Sequence, residues 1–103
     1  MLNIMLVCSA GMSTSLLVSK MNRVAKEKSL DVNVFAVAEA DVKNNMDKAD
    51  IMLLGPQVRY LLPKMKELMK TREVPVDVIN TMDYGTMNGE KVLEHALGMS
   101  SER

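Results

Sequence analysis

The chain has 103 residues, with 13 Lys and Arg balanced by 13 Asp and Glu, so its formal net charge is zero. This length suits a single domain with one core, and the lack of a basic excess argues against nucleic acid as a partner. The single cysteine excludes an internal disulfide. No secretion signal or long apolar span is recognisable, so we expect no membrane insertion and a cytoplasmic location that keeps the thiol reduced.

Strands and helices alternate in the predicted order of elements. Short apolar, β-branched runs predict four strands: Leu2–Val7, Val32–Val37, Ile51–Leu54 and Val76–Ile79. Apolar residues three and four apart predict the elements between and after them: a helix starting near Ser13 or Thr14, a short helix or turn over Glu39–Asn45, a helix with Val58 to Met69 on one face, and a last helix over Glu90–Leu97. We expect residues 100–103 to fray.

This alternation predicts one α/β domain over residues 1–103, with an open four-stranded parallel sheet and helices on both faces. Ligands of such sheets bind beyond the carboxyl ends of the strands, where the strand order reverses. Four predicted loops lie at that edge: Cys8–Ser13, Ala38–Asp41, Gly55–Arg59 and Asn80–Gly89. The only cysteine is in the first of them.

Small and hydroxylated residues follow Cys8, in the run "VCSAGMSTSLL" from Val7 to Leu17. Gly11 gives the backbone freedom to curl, so that several N–H groups and the positive end of the next helix form an anion site. The same field favours a reactive thiolate. Two structural alternatives stay open: Cys8 as an inert buried side chain, and the hydroxyls of Ser9, Ser13, Thr14 and Ser15 as helix caps rather than ligand contacts.

Cysteine, five residues, then Arg and Ser/Thr is the phosphate loop of cysteine-dependent tyrosine phosphatases, especially the low-molecular-weight class with its flavodoxin-like α/β fold. Here Thr14-Ser15 stands where Arg-Ser/Thr would be. Without the guanidinium, hydrolysis of a phosphate ester is disfavoured, although Asp83 could act as a general acid. One alternative function is a phosphatase or an arsenate-reductase-like enzyme, but the absence of the arginine and of a second cysteine argues against it. Another is an interaction domain with a structural thiol.

Three segments resemble the IIB component of the bacterial phosphoenolpyruvate-dependent sugar phosphotransferase system, lactose/cellobiose/chitobiose class: "CSAGMSTSLLVSKM" (Cys8–Met21), "ADIMLLGPQVRYLLP" (Ala49–Pro63) and "DYGTMNGEKVL" (Asp83–Leu93). The resemblance implies that Cys8 takes a phosphoryl group from a histidine of the IIA component and passes it to a β-linked disaccharide at the membrane IIC component. It implies no metal or other cofactor. It also implies that the phosphoryl oxygens are held by the backbone of Ser9, Ala10, Gly11, Met12, Ser13, Thr14 and Ser15.

Residues outside the first loop receive weaker assignments. Gln57, Arg59 and Tyr84 are candidates for a wall of the site or a partner contact, with tight turns or solvated surface as the alternative. His95, on the last helix, is interpreted as an ordinary surface residue. We expect a monomer that forms transient complexes with IIA and IIC. The sequence does not specify the disaccharide.

Overall fold

One parallel four-stranded sheet organises the molecule, in the order β2-β1-β3-β4. The computed structural model describes residues 1–9 and 12–101, together with their side chains except at positions 12, 13 and 101. The strands are β1 Leu2–Cys8, β2 Val32–Ala38, β3 Ile51–Leu54 and β4 Val76–Val78. Because β1 pairs with both β2 and β3, the strand order reverses beside it. The predicted fold class is confirmed.

The helices within the described ranges are α1 Met12–Glu27, α2 Val42–Asn45, α3 Leu62–Met69, α4 Thr81–Gly85 and α5 Gly89–Ser101. Short 3-10 segments cover Glu39–Asp41, Met46–Lys48, Pro56–Leu61 and Lys70–Arg72. Each connection between parallel strands therefore carries helical structure, as a crossover between such strands requires.

Both faces of the sheet are covered, which explains why its strands are mostly apolar; the polar exceptions are Asn3, Asn33 and Asp77. Along β1, Ile4 and Leu6 face the layer formed with α1 and α5, while Met5 and Val7 face the layer that contains α2 and α3. With aromatic residues at only 3% of the chain, flexible thioethers take much of the interior. Among the described side chains, the buried methionines are Met5, Met21, Met52, Met65, Met69 and Met99.

Two predictions of local structure need correction. The predicted third helix is broken, because Pro63 has no N–H to bond the carbonyl of Arg59 and Leu62 N–H bonds that carbonyl in a 3-10 turn instead. The backbone of Val58, at φ −117° and ψ 25°, is also non-helical. The loop predicted over 80–89 contains α4. Helix α5 extends to Ser101, and fraying of residues 100–103 stays a prediction, because Glu102 and Arg103 lie outside the described residues.

Asn22, on α1, covers part of the exposed edge of β2. Its Nδ2 donates to the carbonyl of Val34 and its Oδ1 accepts from the N–H of Val34, each at 2.9 Å. An edge strand leaves such groups unpaired and open to another chain. The Asn22 carboxamide thus replaces the neighbouring strand at this one residue.

Asn22→Ala is expected to lower the free energy of unfolding by about 1–3 kcal/mol, because the polar backbone groups of Val34 lose both partners. Urea unfolding of the purified variant measures this loss. Arg23→Ala, at the exposed neighbouring position, is the matched control and should change stability by no more than about 0.5 kcal/mol. Equal losses in both variants would contradict the role of the carboxamide.

Candidate functional site

Cys8 is the last residue of the central strand β1, paired with Ala38 at the end of β2. The side chain is 7% exposed, and its thiol donates to the carbonyl oxygen of Val37 at an Sγ···O distance of 3.7 Å. The sulfur thus lies at the carboxyl edge of the sheet and points toward β2. The structure places Cys8 where ligands of doubly wound sheets bind.

The segment after Cys8 leads directly into α1, which begins at Met12. Ser9 and Ser15 are exposed and Thr14 is completely buried. The predictions for Ala10 and Gly11, and for the side chains of Met12 and Ser13, fall outside the described part of the structure. The first turn of α1 contains no acidic residue. Its amino terminus therefore presents backbone N–H groups and a positive dipole end near Cys8, unopposed by a carboxylate of its own.

The loop after β3 brings two other candidates together around Gly55. Gly55 N–H donates to the carbonyl of Val7 at 2.9 Å. A methyl group on Gly55 would lie 2.9 Å from Oε1 of Gln57, 3.5 Å from the oxygen of Val7 and 3.9 Å from Cε2 of Tyr84. Gln57 and Tyr84 thus both lie within 4 Å of the space beside Gly55, whose N–H is bonded to the residue that precedes Cys8.

The remaining candidates from the sequence, Arg59 and Asp83, lie on two different elements. Arg59 is exposed on the 3-10 segment that follows Gly55, and Asp83 is half-buried in α4. The side chain of Asn80 caps α4 by accepting hydrogen bonds from the N–H groups of Met82 and Asp83. Asn three residues before Asp is a recognisable helix start, so this sequence signal could have predicted α4.

A cavity of about 410 Å³ opens beside Ser9, between the segment that follows β2 and helix α3. Its apolar wall includes Val42, Met65 and Leu68. Two lysines with exposed side chains, Lys43 and Lys64, also line the cavity. We call this space the basic cavity. Sequence reasoning did not select either lysine, because their common position depends on how α2 and α3 pack against the sheet.

His95 is not the ordinary surface residue that the sequence suggested. Its ring is half-buried, and Nε2 lies 2.9 Å from Oδ2 of Asp77 on β4. Burial by itself raises the pKa of Asp77, but the hydrogen bonds from His95 and the Val78 N–H, with the positive charges of His95 and Lys66, bring that pKa below its ordinary value. The pair ties α5 to the edge strand, away from Cys8.

Asp77→Asn is expected to destabilise the protein in a pH-dependent way. Because the folded pKa of Asp77 is lowered, its stabilisation is present above the ordinary aspartate pKa of about 4 and is lost as the pH falls through the folded value. Urea unfolding of both proteins between pH 2.5 and 7, in roughly half-unit steps across that range, tests this. A stability difference that is the same at every pH would contradict the ionic contribution.

Within residues 1–9 and 12–101, no helix is both long and apolar enough to cross a membrane. Over the same described ranges, no three His, Cys, Asp or Glu side chains are grouped as metal ligands would be.

The model of the lactose/cellobiose-specific IIB subunit family of the phosphotransferase system (PTS) matches residues 3–95. The chain belongs to this family. As a IIB component it is of the phosphotransferase class, and the resemblance predicted from the sequence is confirmed.

Curated proteins similar to this IIB component are named for different sugars. It is 46% identical to the galactose-specific EIIB component of Lactococcus lactis subsp. cremoris and 45% identical to the cellobiose-specific one of L. lactis subsp. lactis, each over 98 residues, covering 90% of this chain and 91% of the relative. It is 39% identical over 99 residues to the oligo-beta-mannoside-specific EIIB component of Bacillus subtilis, covering 96% of both. All three relatives are named as EIIB components, although their sugars differ.

Solved structures agree with this assignment. The solution structure of the cellobiose-specific IIB component from Borrelia burgdorferi has a TM-score of 0.80 and 44% identity, covering 98% of this chain and 93% of that one. The lactose-specific IIB domain from Streptococcus pneumoniae has a TM-score of 0.87 at 21% identity, covering 95% and 96%, and supports the fold alone.

Proposed function

We propose that Cys8 carries a phosphoryl group from a histidine of the IIA component to a sugar hydroxyl at the membrane IIC component. The observation that supports this most is the placement of Cys8 at the end of the central strand, immediately before the amino terminus of α1. A nucleophile and an anion-stabilising helix end thereby meet at the strand-order reversal. The working location of this relay is the cytoplasm, where a reduced thiol persists.

The transfer is balanced in both steps. Sulfur attacks phosphorus, the S–P bond forms as the N–P bond of phosphohistidine breaks, and the thiol proton ends on the imidazole nitrogen. The sugar oxygen then attacks phosphorus, the S–P bond breaks, and the hydroxyl proton ends on the sulfur. The protein's part is positioning and charge stabilisation, which dominate phosphoryl transfer.

The segment from Ser9 to Ser15 supplies the backbone donors for the phosphoryl oxygens in this proposal. Gln57 and Tyr84, packed around Gly55 beside Val7, form a wall of the same site, and Arg59 is available to a partner. The chain has Thr14 where a phosphatase loop has arginine, and Thr14 is completely buried. Without that guanidinium, water is a poor competitor for the phosphoryl group, as a carrier requires.

The proposed acceptor is a β-linked disaccharide of the cellobiose or chitobiose type. This choice of sugar is supported by the sequence identity of 44–45% to two proteins named as cellobiose-specific. The amino-acid sequence of the Cys8–Met21 segment also supports it. The similarly related galactose-specific protein makes sugar phosphorylation the necessary test. We propose a single domain that works as a monomer in transient complexes, because each partner must leave before the next reaches the same sulfur.

Reconstitution of the relay tests the function. The protein is incubated with phosphoenolpyruvate, the two general phosphotransfer proteins and a cognate IIA component, and its intact mass is followed. A single, persistent phosphoryl adduct is expected, and it should disappear when membranes with IIC and cellobiose or chitobiose are added. No adduct from an active donor would refute the carrier, and rapid hydrolysis of an aryl phosphate would favour the phosphatase alternative.

A further inference from the structure

The basic cavity is continuous with the surroundings of the nucleophile. Ser9, which follows Cys8, and Ala38, which follows Val37, both line it. The thiol of Cys8 contacts the carbonyl of Val37. Cys8 does not itself line the cavity, but its neighbour Ser9 does, and so does Ala38, which follows the residue that its thiol contacts.

The cavity combines an apolar wall with uncompensated positive charge. Over the described ranges, no carboxylate oxygen lies within 4 Å of the ammonium groups of Lys43 and Lys64. Among the described residues that line the cavity, Glu39 is the single acidic one, so the two lysines leave a net positive charge. A volume of about 410 Å³ lies within the roughly 300–1,000 Å³ typical of pockets that bind small groups.

We propose that the basic cavity receives the phosphorylated imidazole of the IIA donor, an inference that rests on the proposed function of Cys8. The apolar wall formed by Val42, Met65 and Leu68 packs against the imidazole ring. Lys43 and Lys64 attract the dianionic phosphoryl group and guide it toward Ser9 and Cys8. The lysines are positioning residues, since the transfer itself remains the exchange of the N–P bond for the S–P bond with the thiol proton going to the imidazole.

The chemistry favours the donor over the acceptor as the occupant. The donor arrives with a doubly charged phosphoryl group, whereas the sugar hydroxyl that later attacks is neutral. Unpaired lysines raise the association rate of the phosphorylated donor and do not hold the dephosphorylated donor after transfer. This charge difference between the two forms of the donor is the property to measure.

Initial rates of phosphorylation by purified phospho-IIA test the inference. Lys43→Glu and Lys64→Glu are combined, and Lys26→Glu, the same charge change in the last turn of α1, is the matched control. At low ionic strength the double variant should raise the KM for phospho-IIA by about tenfold with kcat retained, and Lys26→Glu should leave it nearly unchanged. The difference should shrink as salt rises to roughly 0.5 M.

Neutral variants separate charge from shape. Lys43→Met with Lys64→Met keeps the apolar stems, and should raise the KM by about threefold, between wild type and the double glutamate variant. An unchanged KM in both double variants would overturn the inference while leaving Cys8 as the carrier. Equal effects from Lys26→Glu, or a fall in kcat with no change in KM, would also overturn it. If the wild-type protein takes up no phosphoryl group at all, the proposed function itself fails.

Discussion

Cys8→Ser is expected to abolish phosphorylation by IIA and to leave the fold intact. The thiolate is the nucleophile of the proposed transfer, and a serine hydroxyl ionises too weakly near neutral pH to replace it. The smaller oxygen fits the 7% exposed position, and its hydroxyl can donate to the carbonyl of Val37 as the thiol does. Intact mass after incubation with the complete donor system should therefore show no adduct.

The control for this experiment is the folded state of the variant. Thermal unfolding and the circular dichroism spectrum of Cys8→Ser should match those of the wild-type protein closely. An adduct that persists in a folded Cys8→Ser variant would place the phosphoryl group on another residue, and peptide mapping would identify it. His95 is the one histidine of the chain, and its Nε2 is already hydrogen-bonded to Asp77.

Gly89→Ala is expected to lower the free energy of unfolding by about 2–3 kcal/mol, as overpacking against rigid atoms does. Gly89 is the first residue of α5, where that helix meets α1. An added Cβ would lie 2.9 Å from Cβ of Lys20, 3.0 Å from its carbonyl carbon and 3.0 Å from the nitrogen of Met21. Because two of these atoms are helix backbone, the two helices must separate. Urea unfolding measures the change.

Gly98→Ala is the matched control, since it makes the same substitution later in α5. Apart from the backbone of α5 itself, no atom of the described residues lies within 4 Å of a Cβ at Gly98, so alanine should stabilise the helix by up to about 1 kcal/mol. The two substitutions are thus expected to have opposite signs. A neutral or stabilising Gly89→Ala would contradict the close approach of α5 to α1.

Local patterns were sufficient to predict the sheet. Ile51–Leu54 begins and ends where the sequence indicated, and the predicted first two strands each continue one residue further, to Cys8 and Ala38. The reason is that a strand covered on both faces is mostly apolar, so a short apolar run in the sequence indicates it, as the fully buried Ile51–Leu54 shows best. The break in the third helix was also encoded locally, in Pro63, but the strong apolar periodicity from Val58 to Met69 obscured it.

Contacts between distant parts of the chain were not predictable in this way. The hydrogen bond between His95 and Asp77 joins α5 to β4, and neither residue's neighbours in sequence indicate the other. The same holds for Gln57 and Tyr84, which both come close to Gly55 although 27 positions separate them in the sequence. Such pairs depend on the distance and angle at which helices pack on the sheet, and these follow from the shapes of many side chains together.

By itself, the sequence determined the class of fold, the position of the thiol where a buried strand ends, and the small-residue segment that leads into a helix. These features are local, because strand burial, helix starts and chain flexibility each depend on a few consecutive residues. Only the tertiary structure decided what surrounds the sulfur. The basic cavity exists because α2 and α3 bring Lys43 and Lys64 to Ser9, and packing between separate elements alone creates that juxtaposition.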